Sequence, residues 1–124
     1  MQRDIVGRTF KFASQIVAIM PLFRHTDEGR LIGKQVLRSG TSIGANVEEA
    51  ESGSSKDDFI YKMNIALREA RETHYWLRLV REAKLAPSEP LDMLVREADE
   101  LRRILGAIVS SSRGKRKRAS ISEP

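Results

Sequence analysis

The chain has 124 residues, no cysteine and a net charge of +5. That is one ordinary domain, able to bury a single core, with no disulfide framework and no thiolate metal site. The opening run MQRDIVGRTFKF lacks a signal peptide's apolar stretch, and no segment approaches a membrane span, so the expected location is the cytoplasm, with no membrane partner.

The charge is unevenly placed. Residues 113–124 hold five basic groups and one acid, whereas residues 1–112 hold 17 basic and 16 acidic groups. The body is close to neutral, so the global charge says little about a basic face on the fold.

Four segments carry helical periodicity between glycine and proline breaks. The first is expected over about Asp4 to Phe23, with Pro21 kinking or ending it. It carries two adjoining apolar seams, Phe10-Ala13-Val17-Met20 and Phe12-Ile16-Ile19-Phe23. The second segment starts at Thr26, an N-cap followed by Asp27 and Glu28, and continues to about Ser52. Its apolar seam is Ile32, Val36, Ile43, Val47 and Ala50. Gly33, Gly40 and Gly44 share one flank, where each costs about 1 kcal/mol against alanine, so a close backbone neighbour is expected there.

The opposite flank of that helix is polar: Gln35, Ser39, Ser42, Asn46 and Glu49 at alternating steps of four and three. The third segment has two overlapping cap signatures, Ser54 with Asp57 and Ser55 with Asp58, and is expected to run to about Leu85. It also carries two seams, Phe59-Met63-Ala66-Ala70-Leu77 and Ile65-Trp76-Leu79, with Glu69 and Glu72 set in the second. Buried polar groups need partners, so Gln35, Arg38, Ser39, Ser42, Asn46, Glu69 and Glu72 are read as one network, with Arg38 bridging to Glu69 or Glu72. Inter-helix register is one role for it, and a ligand-facing site is the other.

Ser88 is expected to cap the fourth segment, with Pro90 in its first turn. A single seam from Leu91 to Ile108 follows, and the helix should end near Ser111. Short connections make successive helices antiparallel, so the fold class is all-α, an up-down-up-down four-helix bundle over residues 1–112. Residues 113–124 read as a disordered basic tail, because a cluster of Arg113, Lys115, Arg116, Lys117 and Arg118 among serine and glycine cannot bury a core. Such a run either neutralises phosphates or only aids solubility. Arg30 and Lys34, a turn apart on the second helix, are further candidate nucleic-acid contacts.

Nothing here supports catalysis. His25 and His74 lie on different segments outside any metal-ligand spacing, and no phosphate loop or nucleophile elbow occurs. No cofactor, metal site or enzymatic activity is expected. A second apolar stripe on the first and third helices has two readings: a generous core face, or a second buried surface and hence self-association.

The run SGTSIGANVEEAESGSSKDDFIYKMNIALREARETHYWLRLV resembles the signature of the four helix bundle protein family, the large-subunit ribosomal RNA intervening-sequence proteins. Arg38-Ser39, Ser42-Ile43, Ala45-Asn46, Glu49, Asp58-Phe59, Lys62, Ile65-Ala66, Glu69-Ala70, Glu72-Thr73 and Tyr75-Trp76-Leu77 carry the resemblance. Asp4-Ile5, Phe12-Ala13 and Glu100-Leu101 extend it. Gly44 and Ala50 depart from the pattern, where many relatives have proline and glycine. The resemblance implies a non-catalytic bundle assembled as a homopentamer, with structured RNA or a ribonucleoprotein as the partner. The alternative is a protein-interaction adaptor, a scaffold ring with no nucleic-acid role.

Overall fold

The computed structural model describes the backbone of residues 2–122 and the side chains of residues 5–115, 117 and 118. Helix α1 spans Gln2–Ile19 and gives way to a 3-10 turn at Met20–Leu22, because Pro21 offers no amide hydrogen to continue the α ladder. Helix α2 spans Asp27–Glu51, α3 Lys56–Glu82 and α4 Ser88–Ser122. The described residues contain no strand. The four helices form an antiparallel four-helix bundle.

Local chemistry sets the helix starts. Thr26 Oγ1 accepts the Gly29 amide at 3.0 Å, and Ser55 Oγ accepts the Asp58 amide at 3.0 Å. Each satisfies one orphan donor of a first turn. Helix α4 begins at Ser88 itself.

Helix α3 stops three residues before Leu85. Lys84 takes the left-handed conformation (φ 56°), its amide donates to Arg81 O, and the Leu85 amide donates to Val80 O at 3.0 Å. This is a Schellman end, which turns the chain so that Leu85 enters the core. Leu85 O in turn accepts the Arg24 amide at 2.8 Å, tying together the two loops at that end of the bundle.

Of the two α1 seams, one is core. Phe12, Ile16, Ile19 and Phe23 are buried, while Phe10 is 66% and Val17 54% exposed. The glycine flank of α2 receives α1. A Cβ on Gly44 would lie 3.2 Å from the Thr9 backbone, whereas one on Gly40 would meet the Ile16 side chain and one on Gly33 the Phe23 ring. Of these three glycines, only Gly44 meets the α1 backbone closely. The α1–α2, α2–α3 and α3–α4 interfaces are extensive, but α1 meets α4 only sparsely. The bundle is closed on three sides and grooved on the fourth.

Helix α4 runs on through most of the segment expected as a tail from residue 113. Among the described side chains the last buried apolar residue is Val109, whereas the helix continues to Ser122. A helix already nucleated adds a hydrogen bond with each further residue, and arginine, lysine and alanine are good helix formers. Arg113, Lys115, Lys117 and Arg118 are exposed along this extension. The Arg116 side chain and residues 123–124 lie outside the described residues.

Candidate functional site

The expected polar network divides into separate parts. Arg38 donates to Glu69 Oε1 at 3.1 Å and, through its other terminal nitrogen, to Glu72, joining α2 to α3. The Trp76 indole also donates to Glu72 at 3.1 Å. The hydrogen bond from Arg38 holds the Glu72 carboxyl below its usual pKa against the opposing effect of burial, with the indole adding to it. Ser39 and Thr73, both fully buried, form the second part. Ser39 donates to Gln35 O at 2.9 Å, and Thr73 Oγ1 stands 2.9 Å from Ser39 Oγ and 2.7 Å from Glu69 O.

Ser42 and Asn46 do not cross to α3. Ser42 donates to Arg38 O and Asn46 to Ser42 O, so both turn back on their own helix. Gln35 enters only through its backbone carbonyl. Serine and asparagine have short side chains that find the preceding turn's carbonyl more readily than a neighbouring helix. Nor is the ion-pair part buried: the Arg38 side chain is 47% exposed. No buried side-chain polar atom among the described residues lacks a partner.

A second polar cluster, unmarked in the sequence, lines the open α1–α4 side. Arg8 forks onto Glu97 (Nε to Oε2 2.7 Å, a terminal nitrogen to Oε1 2.9 Å), with Glu100 at 3.7 Å. The two residues are 89 positions apart, and no periodicity on either helix announces the pairing. A groove of about 570 Å³ runs beside it, lined by Arg8, Lys11, Gln15, Met93, Arg96, Glu97 and Glu100. A smaller groove of about 300 Å³ lies between the end of α1 and the start of α2, walled by Met20, Phe23, Gly33 and Leu37 and rimmed by Arg24, His25, Arg30 and Lys34.

The basic candidates do not converge. Arg30 pairs with Asp27 on its own helix, and Lys34 borders the smaller groove at the α2 N-terminal end. Arg113, Lys115, Lys117 and Arg118 lie toward the other end, about 30 Å away along the bundle axis at 1.5 Å per residue. They are two separate surfaces.

His25 is exposed in the α1–α2 loop, whereas His74 is half-buried on α3, 3.9 Å from Asp99. Burial pushes the His74 pKa down, and Arg78 adds to this, outweighing the opposite pull of Asp99. Among the described residues no group of three or more His, Asp or Glu side chains could hold a metal ion, and no helix is long and apolar enough to cross a membrane.

A further surface lies on the outer face of α3. Tyr61, Asn64, Arg68, Arg71, Tyr75 and Arg78 follow one another at steps of three, four, three, four and three, so they form one stripe. Tyr61 is 63% and Tyr75 52% exposed. The Tyr75 ring meets the Trp76 ring edge-on at 5.2 Å, and the Arg78 guanidinium lies 6.0 Å from the Tyr75 centroid. The three-four spacing was there to be found in the sequence. It stands one step outside the apolar seams, so the periodicity that marks the core does not mark it.

The family model described as 23S rRNA-intervening sequence protein matches residues 1–107. A crystal structure at 1.70 Å, of a protein with unknown function from the S23 ribosomal protein family of Bacteroides thetaiotaomicron VPI-5482, is similar at 38% identity and a TM-score of 0.77. The likeness covers 85% of this chain and 97% of that one. No curated protein matches the chain. With nearly the whole bundle inside the matched region, this chain belongs to the 23S rRNA-intervening sequence protein family.

Proposed function

We propose that the chain acts without catalysis, as a self-associating bundle that binds structured RNA or a ribonucleoprotein. The observation that carries this reading is the helix α4 extension, which outlasts the core and holds Arg113, Lys115, Lys117 and Arg118 exposed beyond Val109. Packing does not require them there, and a row of cations on a helix suits phosphates of any sequence. Self-association is supported by the outer α1 seam, where Phe10 and Val17 stand in solvent beside a core already complete without them. The family resemblance makes five the expected number of copies. A ring would gather several extensions, so weak single contacts would add on any RNA able to reach more than one.

The test is retention on RNA at rising salt, with the full chain and a chain lacking residues 113–124. The full chain should bind and release steeply as salt rises, and the shortened chain should lose most retention and flatten the slope while keeping its oligomeric mass. Equal retention by both would remove the extension from the function. Protein partners captured with little salt dependence and no RNA would favour the adaptor reading, for which the exposed Phe10 and Val17 are the relevant surface.

A further inference from the structure

The α3 stripe combines two chemistries that a merely solvated helix face does not need together. Between residues 61 and 81 it carries Arg68, Arg71 and Arg78 and no carboxylate, with Asp57 and Glu82 marking its two ends. None of the three arginines makes a close ion pair among the described residues, as Arg38, Arg81, Arg102 and Arg103 all do, and Arg68 acts on Glu72 only at longer range, where it helps to lower that carboxyl's pKa. Two tyrosine rings share the stripe with these cations and stand more than half exposed. The Tyr75 ring meets Trp76 edge-on and has the Arg78 guanidinium 6.0 Å from its centroid, so one ring of the stripe already holds an aromatic and a cationic neighbour.

We infer that this stripe is a stacking surface for single-stranded nucleic acid, separate from the α4 extension. Its occupant must be anionic, because the stripe carries arginines and no carboxylate between its ends and none of them is closely paired, and must offer flat π faces, because the tyrosines are exposed. A single strand supplies both at short intervals, and the stripe runs about 25 Å along α3, enough for several nucleotides. Arginine planes and tyrosine rings would take unstacked bases, while the guanidinium groups between them meet the phosphates. The inference deepens the proposed nucleic-acid role, but it does not depend on the α4 extension.

The chain's one tryptophan reports on this site, because Trp76 touches Tyr75. A full-length chain with R113S, K115S, R116S, K117S and R118S is titrated with a short oligouridylate and a short oligothymidylate while Trp76 fluorescence is followed. Both probes should still perturb the fluorescence, and their relative affinities say whether RNA or DNA is preferred. Tyr61→Ala should weaken binding about tenfold, since stacking on one ring is worth about that much, and Tyr75→Phe should leave it nearly unchanged. Arg68→Ser with Arg71→Ser should reduce the salt slope by about 1.4, as expected for two lost phosphate contacts on a single strand.

Silent fluorescence in the tail-neutralised chain, or no effect of Tyr61→Ala, overturns the inference. If the unaltered chain then still binds, the α4 reading stands without it; if tail neutralisation changes nothing while Trp76 responds, the α4 reading falls and the stripe remains. A polyglutamate peptide that perturbs Trp76 as strongly as the oligonucleotides would show bare charge attraction, and that also overturns stacking. So would a fall in oligomeric mass on Tyr61→Ala, which would make the stripe a contact between copies.

Discussion

Helices α1 and α3 each carry a surplus stripe outside the core, and the two stripes differ in kind. On α1 it is aliphatic and aromatic with no charge of its own: Phe10, Ala13 and Val17. On α3 it combines two tyrosines with three arginines. An uncharged apolar strip gains free energy from leaving water whatever covers it, at roughly 25 cal/mol for each Å² buried, which suits another protein surface. A strip of arginines cannot be covered cheaply unless its partner supplies negative charge. Equal helical spacing thus serves two purposes, and side-chain chemistry decides which.

The sharpest way to break this comparison is to charge the α1 stripe. Phe10→Asp with Val17→Asp should reduce the assembly to a single chain of 14.0 kDa in light scattering, with helical circular dichroism retained because neither residue is core. A wild-type chain that already scatters as a monomer would show that the stripe has no partner of its own kind.

A smaller effect is expected where α1 seats on α2. Gly44→Val brings a branched side chain against the Thr9 backbone, which cannot swing aside as a side chain can. Overpacking of this sort should cost about 1–3 kcal/mol in chemical denaturation and shift the whole α1 stripe. An unchanged midpoint would mean that the α1–α2 contact is soft and that the stripe's placement is not fixed by Gly44.

On the α3 side, Arg38→Ala removes the bridge to Glu69 and Glu72 but strands no fully buried charge, since Glu72 keeps 38% and Glu69 19% of its side chain exposed. The expected cost is about 0.2–1 kcal/mol, well below that of breaking a buried pair. A loss of several kcal/mol would mean that water is kept from this edge of α3, for instance by a neighbouring copy.

Acidification probes the inner edge of the same helix. Because the folded His74 pKa is lowered, the unfolded chain takes up the proton first. Its contribution to stability is fully present above the ordinary value of 6.5 and is lost as pH falls from there toward the lowered folded value. The denaturation midpoint should therefore drop between pH 7 and pH 5, and His74→Gln should be flatter over that interval. A midpoint that rises on acidification would show that Asp99 dominates the site instead.

Much of this architecture was legible from local rules. Thr26 and Ser55 announce their helices because a side-chain oxygen next to an orphan amide is a local interaction, independent of the fold. The Phe12 and Leu91–Ile108 seams give the number of helices and their inward faces, since burial has to follow the helical period. The fork between Arg38 and the two glutamates could be guessed, because all three flank core seams on adjacent helices. The burial ascribed to it could not, because exposure depends on what else packs nearby.

The residues by themselves determined an all-α bundle, its caps, its glycine flank and the uneven placement of its charge, all of which arise from interactions within about one helical turn. Tertiary structure alone decided which α1 seam is core, because Phe10 and Phe12 are equally apolar and only the seating of α1 against α2 separates them. It also decided that Lys84 would turn left-handed to bring Leu85 inward, that Arg8 would meet Glu97 across 89 residues, and that α4 would carry its cations onward as a helix. Each of these depends on groups far apart in the chain or on a helix already built, and a pattern read along the sequence contains neither.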